Sequence, residues 1–354
     1  MQKSLLTLII ILYTSCANIV APSGGKKDID PPKIKSITIV KNDKNSLDNV
    51  ILFEFDENIQ LNNWEENFYI SPIIKNIQKK IKGKFLNLSI KDTLHKNKSY
   101  NISLDKCIKD INEGNILDSL SFIYNDNNLE HTALSGVLKD AFTLEYLENC
   151  WIMLFDEQIE DSLLIKSTPK YISKTDKSGR FHFPNLMNEN YKILALSGFD
   201  LIFNTDEKIA FSNRKINTLN DTFISLLAFK ENIEKEKIDS SLLYIKKDTL
   251  IVRREKLGLG QLEIITEINS SSIFQLLQKN KVISEHYFDQ KPFLIKSIEP
   301  GKYQLKYILD RNKDKIWNTG NLQKRIQPET VFNYQSEILI RSNWDLELEW
   351  IIKE

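Results

Sequence analysis

Thr175-Asp-Lys-Ser-Gly-Arg-Phe-His-Phe183 couples a tight turn to an alternating strand, and that pairing sets the class of the fold. A carboxylate at Asp176 can cap the backbone amides of the turn, and Gly179 can take the positive φ that a sharp reversal needs. Phe181 and Phe183 follow with period two, so both rings point into one core. The stretch reads as a β-hairpin. The same period recurs on both sides of it. Upstream, Val50-Ile-Leu-Phe-Glu-Phe55 is strand-like, Leu86, Leu88 and Ile90 share one face, and so do Tyr100, Ile102 and Leu104. Cys150-Trp-Ile-Met-Leu-Phe155 is a continuous apolar run, expected to be a buried strand. Downstream, Trp344, Leu346, Leu348, Trp350 and Ile352 alternate with Asp345, Glu347 and Glu349, the pattern expected of a half-buried antiparallel strand. Short strands spaced about ten residues apart predict an all-β protein built from β-sandwiches.

A chain of 354 residues is long for one core and implies two or three domains. Only 11 Gly and 9 Pro occur, which excludes collagen-like and Gly/Pro-rich disordered classes. Basic and acidic residues balance at 48 each, so there is no net positive field and no nucleic-acid partner is expected.

The first residues read as an address. Met1-Gln-Lys3 is a basic start, Leu5 to Leu12 is apolar, and Thr14-Ser15-Cys16 follows. The apolar run is shorter than the roughly 20 residues a membrane span needs, and it suits a secretory signal. Leu12-Tyr-Thr-Ser-Cys16 resembles a bacterial lipoprotein cleavage box, with Tyr13 in the place where Leu is usual. The resemblance implies removal of residues 1–15 and lipidation of Cys16. The expected partner is then a membrane, and the expected location the cell envelope at the outer membrane. Residues 16–30 read as a polar tether. Cys107 and Cys150 are expected to be buried free thiols, and no C-x-x-C occurs.

The body divides into three expected β-sandwich domains, 31–128, 129–228 and 229–354. In the first, Phe55-Asp-Glu-Asn-Ile59, Leu94 with Ser99-Tyr-Asn-Ile102, and Ile108-Lys-Asp-Ile-Asn-Glu-Gly-Asn115 resemble the SbsA-type bacterial Ig-like domain. That resemblance implies a spacer or binding module of a secreted or surface protein. In the second, the Thr175–Phe183 signature with Leu186 and Tyr191 resembles the transthyretin-like, carboxypeptidase regulatory-like module, which implies a sandwich without catalytic residues. The third is a divergent β-domain that follows a charged linker at Lys230–Lys237. It repeats the spacing of Phe181, Phe183, Leu186, Tyr191, Ile193 and Leu196 at Phe293, Ile295, Ile298, Tyr303, Leu305 and Ile308, a constant offset of 112 residues (181 to 293, 191 to 303).

Few residues suggest chemistry. Asp310, Asn312, Asp314 and Asn318 place oxygen side chains at loop positions one, three, five and nine, the spacing of a calcium loop. Lys315 stands where such a loop turns on Gly, and Asn321 where it closes on Glu, so the alternative is an Asx-rich turn without metal. Trp64 and Trp317 lie among polar turn residues and are candidates for exposed glycan contacts. Asp56, Glu57, Asp110, Asn112 and Glu113 read as solvated turn residues. Lys75, Lys79, Lys80, Lys82 and Lys84 read as lysines guarding an edge strand. The four histidines, His95, His131, His182 and His286, form no metalloprotease motif, and no nucleophile elbow or phosphate loop occurs. No catalytic residue and, calcium apart, no cofactor is expected. The function expected is a non-catalytic, lipid-anchored scaffold with an envelope protein or glycan as partner. The alternative is a glycan-binding accessory lipoprotein of a polysaccharide-handling system.

Overall fold

The computed structural model describes residues 27–41, 49–94, 98–124, 132–231 and 258–352. Cys16, the signal segment, most of the tether and most of the linker lie outside the described residues. The chain is an all-β, multi-domain sandwich.

The first group of strands is β1 (Ile34–Lys41), β2 (Asn49–Phe55), β3 (Ile59–Leu61), β4 (Tyr69–Ser71) and β5 (Ile77–Lys82). It continues with β6 (Phe85–Ile90), β7 (Tyr100–Ser103), β8 (Ile108–Asp110) and β9 (Ser121–Tyr124), and one short helix, α1 (Trp64–Asn67), precedes β4. A sheet of order β1-β2-β6-β5 packs over β4-β7-β9 and the pair β3-β8. The alternation read from the sequence is what fills the core: Ile51, Phe53 and Phe55 of β2 meet Leu86, Leu88 and Ile90 of β6.

The second group is β10 (Thr132–Asp140), β11 (Trp151–Asp156), β12 (Tyr171–Lys174) and β13 (Arg180–Leu186), then β14 (Asn190–Leu196), β15 (Lys208–Phe211), β16 (Ile216–Asn217) and β17 (Phe223–Lys230). The third is β18 (Gly260–Ile265), β19 (Ser272–Gln278), β20 (Lys281–Phe288) and β21 (Phe293–Ile298), then β22 (Gly301–Leu309), β23 (Val331–Asn333), β24 (Ile338–Ile340) and β25 (Asp345–Glu349).

The two groups share one topology. β10 pairs antiparallel with β13 and parallel with β17, and β18 pairs antiparallel with β21 and parallel with β25. β14 bonds to β11, β15 and β16, as β22 bonds to β19, β23 and β24. Even the irregularities correspond: the register slips between Thr132 and Leu134 opposite Leu186, and between Gly260 and Leu262 opposite Ile298. The Tyr191 hydroxyl donates to the Met187 carbonyl at 2.9 Å, and the Tyr303 hydroxyl to the Glu299 carbonyl at 2.9 Å. The 112-residue spacing is therefore a repeat of a fold.

The Thr175–Phe183 turn has the chemistry its sequence implies. Asp176 accepts the Ser178 and Arg180 amides at 2.8 and 2.9 Å, and Gly179 has φ +67°. Phe181 and Phe183 are both buried. The hairpin, however, is corrected. β12 pairs with β11 and β13 with β10, so the turn crosses from one sheet of the sandwich to the other. A turn fixes local chain direction; which neighbour completes each ladder is a tertiary choice.

β25 is a second correction. Leu346 and Leu348 face the core, as alternation predicts, yet the strand runs parallel to β18. Alternation records which face is buried and is silent about the direction of the neighbour. At its start, Trp344 is 53% exposed, whereas Trp350 and Ile352 are buried.

β11 is buried on both faces. Ile152 and Leu154 belong to the core of the second sandwich, while Trp151, Met153 and Phe155 belong to a cluster outside it. That cluster takes in Tyr69 and Ile73 from the first group and Leu322 and Trp317 from the third. The unbroken apolar run is thus the seam between modules. Polar contacts reinforce it: the Ile172 amide donates to Ser71 Oγ at 2.9 Å, Lys106 pairs with Glu148 at 2.8 Å, and Gln327 Nε2 donates to the Phe211 carbonyl at 3.0 Å. Cys107 and Cys150 are free and buried, and burial pushes the Cys107 thiol up to about 12.

Candidate functional site

Where the first and second modules meet, the outward faces of two sheets enclose a cleft of about 830 Å³. One wall comes from β4-β7-β9 with Asn101, Ser103 and Ser121, of which Ser121 is exposed, Asn101 half-buried and Ser103 buried. The other comes from β10 and β13. Ser135, Val137 and Lys139 alternate outward along β10, and Arg180 and His182 stand beside them because Val137 pairs with Arg180 and Ser135 with His182. Tyr146, 56% exposed, and Phe223, 60% exposed, also line it.

The charges of the cleft are unequally committed. Asp105 accepts the Leu120 amide at 2.7 Å, and Asp176 is occupied by its own turn. Lys174 donates to the Glu66 carbonyl and to Asn149 Oδ1, with its ammonium 4.3 Å from the Trp151 ring centroid; burial lowers its pKa. Lys139 lies 5.0 Å over the Tyr146 ring, and Arg180 has no ion-pair partner among the described residues. Ser135 Oγ and His182 Nδ1 share a hydrogen bond of 2.9 Å. No carboxylate holds the far side of that ring among the described residues, so the pair lacks the orienting group that activates a serine. The cleft can present hydroxyls, amides, two cations and two aromatic faces to a ligand.

The residues singled out from the sequence lie elsewhere. Trp64 is a correction: it is 8% exposed, stacked on Phe68 at 4.1 Å, and covered by the Lys79 ammonium at 4.9 Å. Trp317 is also corrected. It is half-buried against Phe142 at 4.9 Å, and its indole N–H donates to the Glu329 carbonyl at 3.0 Å. Both rings sit beside polar residues in the sequence, yet Trp64 is covered and Trp317 is partly buried.

The 310–318 loop is closed by its own donors. Asp314 Oδ2 accepts the amide groups of Asn312 and Asn318 at 2.8 and 2.7 Å, and Asp314 Oδ1 accepts the Ile316 amide at 3.0 Å. Partial burial opposes ionisation of Asp314, but these hydrogen bonds hold its carboxyl below the usual range. Asp310 Oδ2 accepts the Lys315 amide at 3.1 Å, and Lys315 takes φ +66° in the place of the missing Gly. Glu329, absent from the sequence reading, accepts the Arg311 and Asn318 amides at 2.9 and 3.0 Å, and burial raises its pKa. Among the described residues, no three His, Cys, Asp or Glu side chains converge as metal ligands.

Asp110 departs from its reading as a solvated turn residue. It is fully buried and accepts the Glu113, Gly114 and Asn115 amides at 2.7, 2.7 and 2.8 Å, which outweigh the effect of burial and lower its pKa. Burial, then the charges of Asp110 and Asp56, raise that of neighbouring Glu57. The cleft residues Lys139, Arg180, Tyr146 and Phe223 were not picked out by sequence. Lys139 and Arg180 stand outward on β10 and β13, Phe223 opens β17 and Tyr146 lies in the loop after β10, and none of these placements tells a groove from open surface.

Residues 28–124 match the family model of a bacterial Ig-like domain, which spans β1 to β9. No curated protein matches the chain. Among solved structures, the chain is similar to the Bacillus anthracis TIE protein at 14% identity, covering 94% of this chain and 59% of that one, with TM-score 0.19. It is similar to a streptococcal ancillary pilin at 10% identity, covering 78% and 80%, with TM-score 0.18. For native alpha-2-macroglobulin from Escherichia coli, spanning domains MG0-NIE-MG1, identity is 11%, coverage 86% and 97%, and TM-score 0.22. The chain thus spans somewhat under two thirds of the TIE chain, and superpositions this loose carry no argument about function. The Ig-like module is of a non-enzymatic kind and is typical of bacterial surface proteins.

Proposed function

We propose that this chain is a lipid-anchored, non-catalytic protein of the cell envelope, held at the outer membrane through Cys16 and serving as a scaffold of tandem β-sandwiches. The observation that carries the reading is the seam around β11. Apolar side chains of all three strand groups meet in one cluster, which lets the modules hold a fixed spacing as a scaffold must. On this reading residues 1–15 are a removed signal, 16–30 a tether, 31–128 an SbsA-type Ig-like module, 129–228 a transthyretin-like module and 229–354 its divergent repeat. Several acyl chains on Cys16, at about 0.8 kcal/mol per buried methylene, suffice for stable anchoring where one chain is marginal. Cys16→Ala is expected to move the protein from the membrane to the soluble fraction, read by fractionation and immunoblot. Continued membrane association of the variant defeats the anchor.

A second reading is favoured by the cleft. Hydroxyl and amide side chains with two exposed aromatic rings are the groups that bind sugars, by hydrogen bonds to hydroxyls and stacking on ring faces. The glycan contact then belongs to Tyr146 and Phe223 rather than to Trp64 and Trp317. Tyr146→Ala with Phe223→Ala is expected to reduce retention on immobilised envelope polysaccharide at least tenfold in affinity, about 1.4 kcal/mol. Retention unchanged by the pair, or absent in the unsubstituted protein, removes this reading.

A further inference from the structure

Two sheet edges far apart in the sequence carry the same alternation with opposite charge. β5, Ile77-Gln-Lys-Lys-Ile-Lys82, is the edge of the β1-β2-β6-β5 sheet. Gln78, Lys80 and Lys82 are exposed on it, while Ile77 and Ile81 pack on the first core. β25, Asp345-Leu-Glu-Leu-Glu349, is the edge of the β21-β18-β25 sheet. Asp345, Glu347 and Glu349 are exposed on it, while Leu346 and Leu348 pack on the third core. The side chains of Lys80, Lys82, Glu347 and Glu349 make no ion pair among the described residues. Each strand also turns one row of backbone N–H and C=O groups away from its sheet, and such a row is a template for another strand.

We propose that these edges bind each other between copies of this chain, β5 of one copy adding to β25 of the next. In antiparallel pairing with Lys80 opposite Glu347, Lys82 falls opposite Asp345 and Ile81 opposite Leu346. Backbone hydrogen bonds then join two sheets into one. Opposite charges face each other on the solvent side, and Ile81 meets Leu346 on the core side, where Lys79, already held by Glu65 and the Trp64 ring, falls opposite Leu348. The charges also choose the partner. β5 against β5 sets lysine against lysine, and β25 against β25 sets carboxylate against carboxylate, so only the mixed pair attracts. Lysines on an edge ordinarily repel strand addition; they do not repel an acidic edge. Because two different patches meet, the contact is heterologous and repeats along an open chain of copies unless the rotation closes it into a ring. The proposal goes beyond the scaffold reading and does not depend on Cys16.

Sedimentation velocity of the full chain in mild detergent at low salt tests it. The sedimentation coefficient is expected to rise with protein concentration and to fall back as added salt screens the edge charges. Lys80→Glu with Lys82→Glu, and separately Asp345→Lys with Glu347→Lys, the residues they face, are each expected to give a monomer with an unchanged circular-dichroism spectrum. Mixing the two variants in equal amounts is expected to restore assembly, since each then meets an edge of opposite charge. Zero-length carbodiimide cross-linking of isotopically light and heavy copies is expected to yield mixed Lys80–Glu347 peptides. A chain that stays monomeric at every concentration, assembly that survives both reversals, or a mixture that stays monomeric overturns the proposal. None of these outcomes bears on the Cys16 fractionation.

Discussion

Tyr191→Ala is expected to destabilise the second sandwich by about 4 kcal/mol, the cost of emptying a fully buried aromatic site. The ring has no exposed surface, packs edge-on to Tyr171 at 5.8 Å, and lies in the core with Phe181, Phe183 and Ile193. Part of its contribution is polar, because the hydroxyl satisfies the Met187 carbonyl at the corner between β13 and β14. Tyr191→Phe keeps the ring and removes one of that carbonyl's donors, with Thr218 Oγ1 still 3.2 Å away, for an expected loss of about 1 kcal/mol. The repeat supplies a control. Tyr303→Phe removes the same bond from Glu299 in the third sandwich and is expected to cost about the same 1 kcal/mol. Urea unfolding followed by probes local to each sandwich separates the two, since a multi-domain chain need not unfold in one step. If Tyr191→Phe is as damaging as Tyr191→Ala, the packing account of this residue is wrong.

Asp140→Ala is the second large effect, at about 2 kcal/mol, since it strips two turn amides and a partly exposed ammonium of their acceptor. The carboxylate is nearly buried; Oδ1 accepts the Phe142 and Thr143 amides at 2.9 and 2.7 Å, and Oδ2 pairs with Lys208 at 2.6 Å. Burial disfavours the ionised form, yet the Lys208 bond and the two amides win, so the pKa of Asp140 is lowered. The sign follows. A depressed carboxyl pKa adds stability at pH above the unfolded value of about 3.9, and that stability is lost as pH falls through the folded value. The gap between Asp140→Ala and the unsubstituted protein, measured by urea unfolding, is therefore expected to be full at neutral pH and to close in acid. A gap that persists unchanged at low pH contradicts the ionic account. The turn that Asp140 holds also matters at a distance. It presents the Phe142 carbonyl to Lys306 Nζ at 2.6 Å, with that ammonium 3.9 Å over the Phe142 ring, so loosening it weakens the contact between second and third modules.

Much of this is legible in the amino-acid sequence. The core faces of β2, β6 and β13 follow from period-two alternation, and the geometry at Asp176 and Gly179 follows from their own chemistry. The repeat at 181 and 293 was legible as spacing because a corner tyrosine and its flanking core residues must keep their distances to fit the same sandwich. The candidate site was scarcely legible. Trp64 and Trp317 sit next to polar residues in the chain, yet Trp64 is covered and Trp317 partly buried in space. Asp110 reads as a solvated turn residue and is buried under three amides. Lys139, Arg180, Tyr146 and Phe223 come together only because two modules meet at one angle.

By itself the sequence determined the strands, the face each one buries and the chemistry of its turns, because those depend on residues a few positions apart. Tertiary structure decided which strands became neighbours and in what direction, as at β12, β13 and β25. It also decided which residues of the other modules cover the outer face of β11 and that β25 is left as an edge. The reason is that ladder pairing and module contact join groups a hundred or more residues apart, and no local period encodes the choice among partners of equal hydrophobicity.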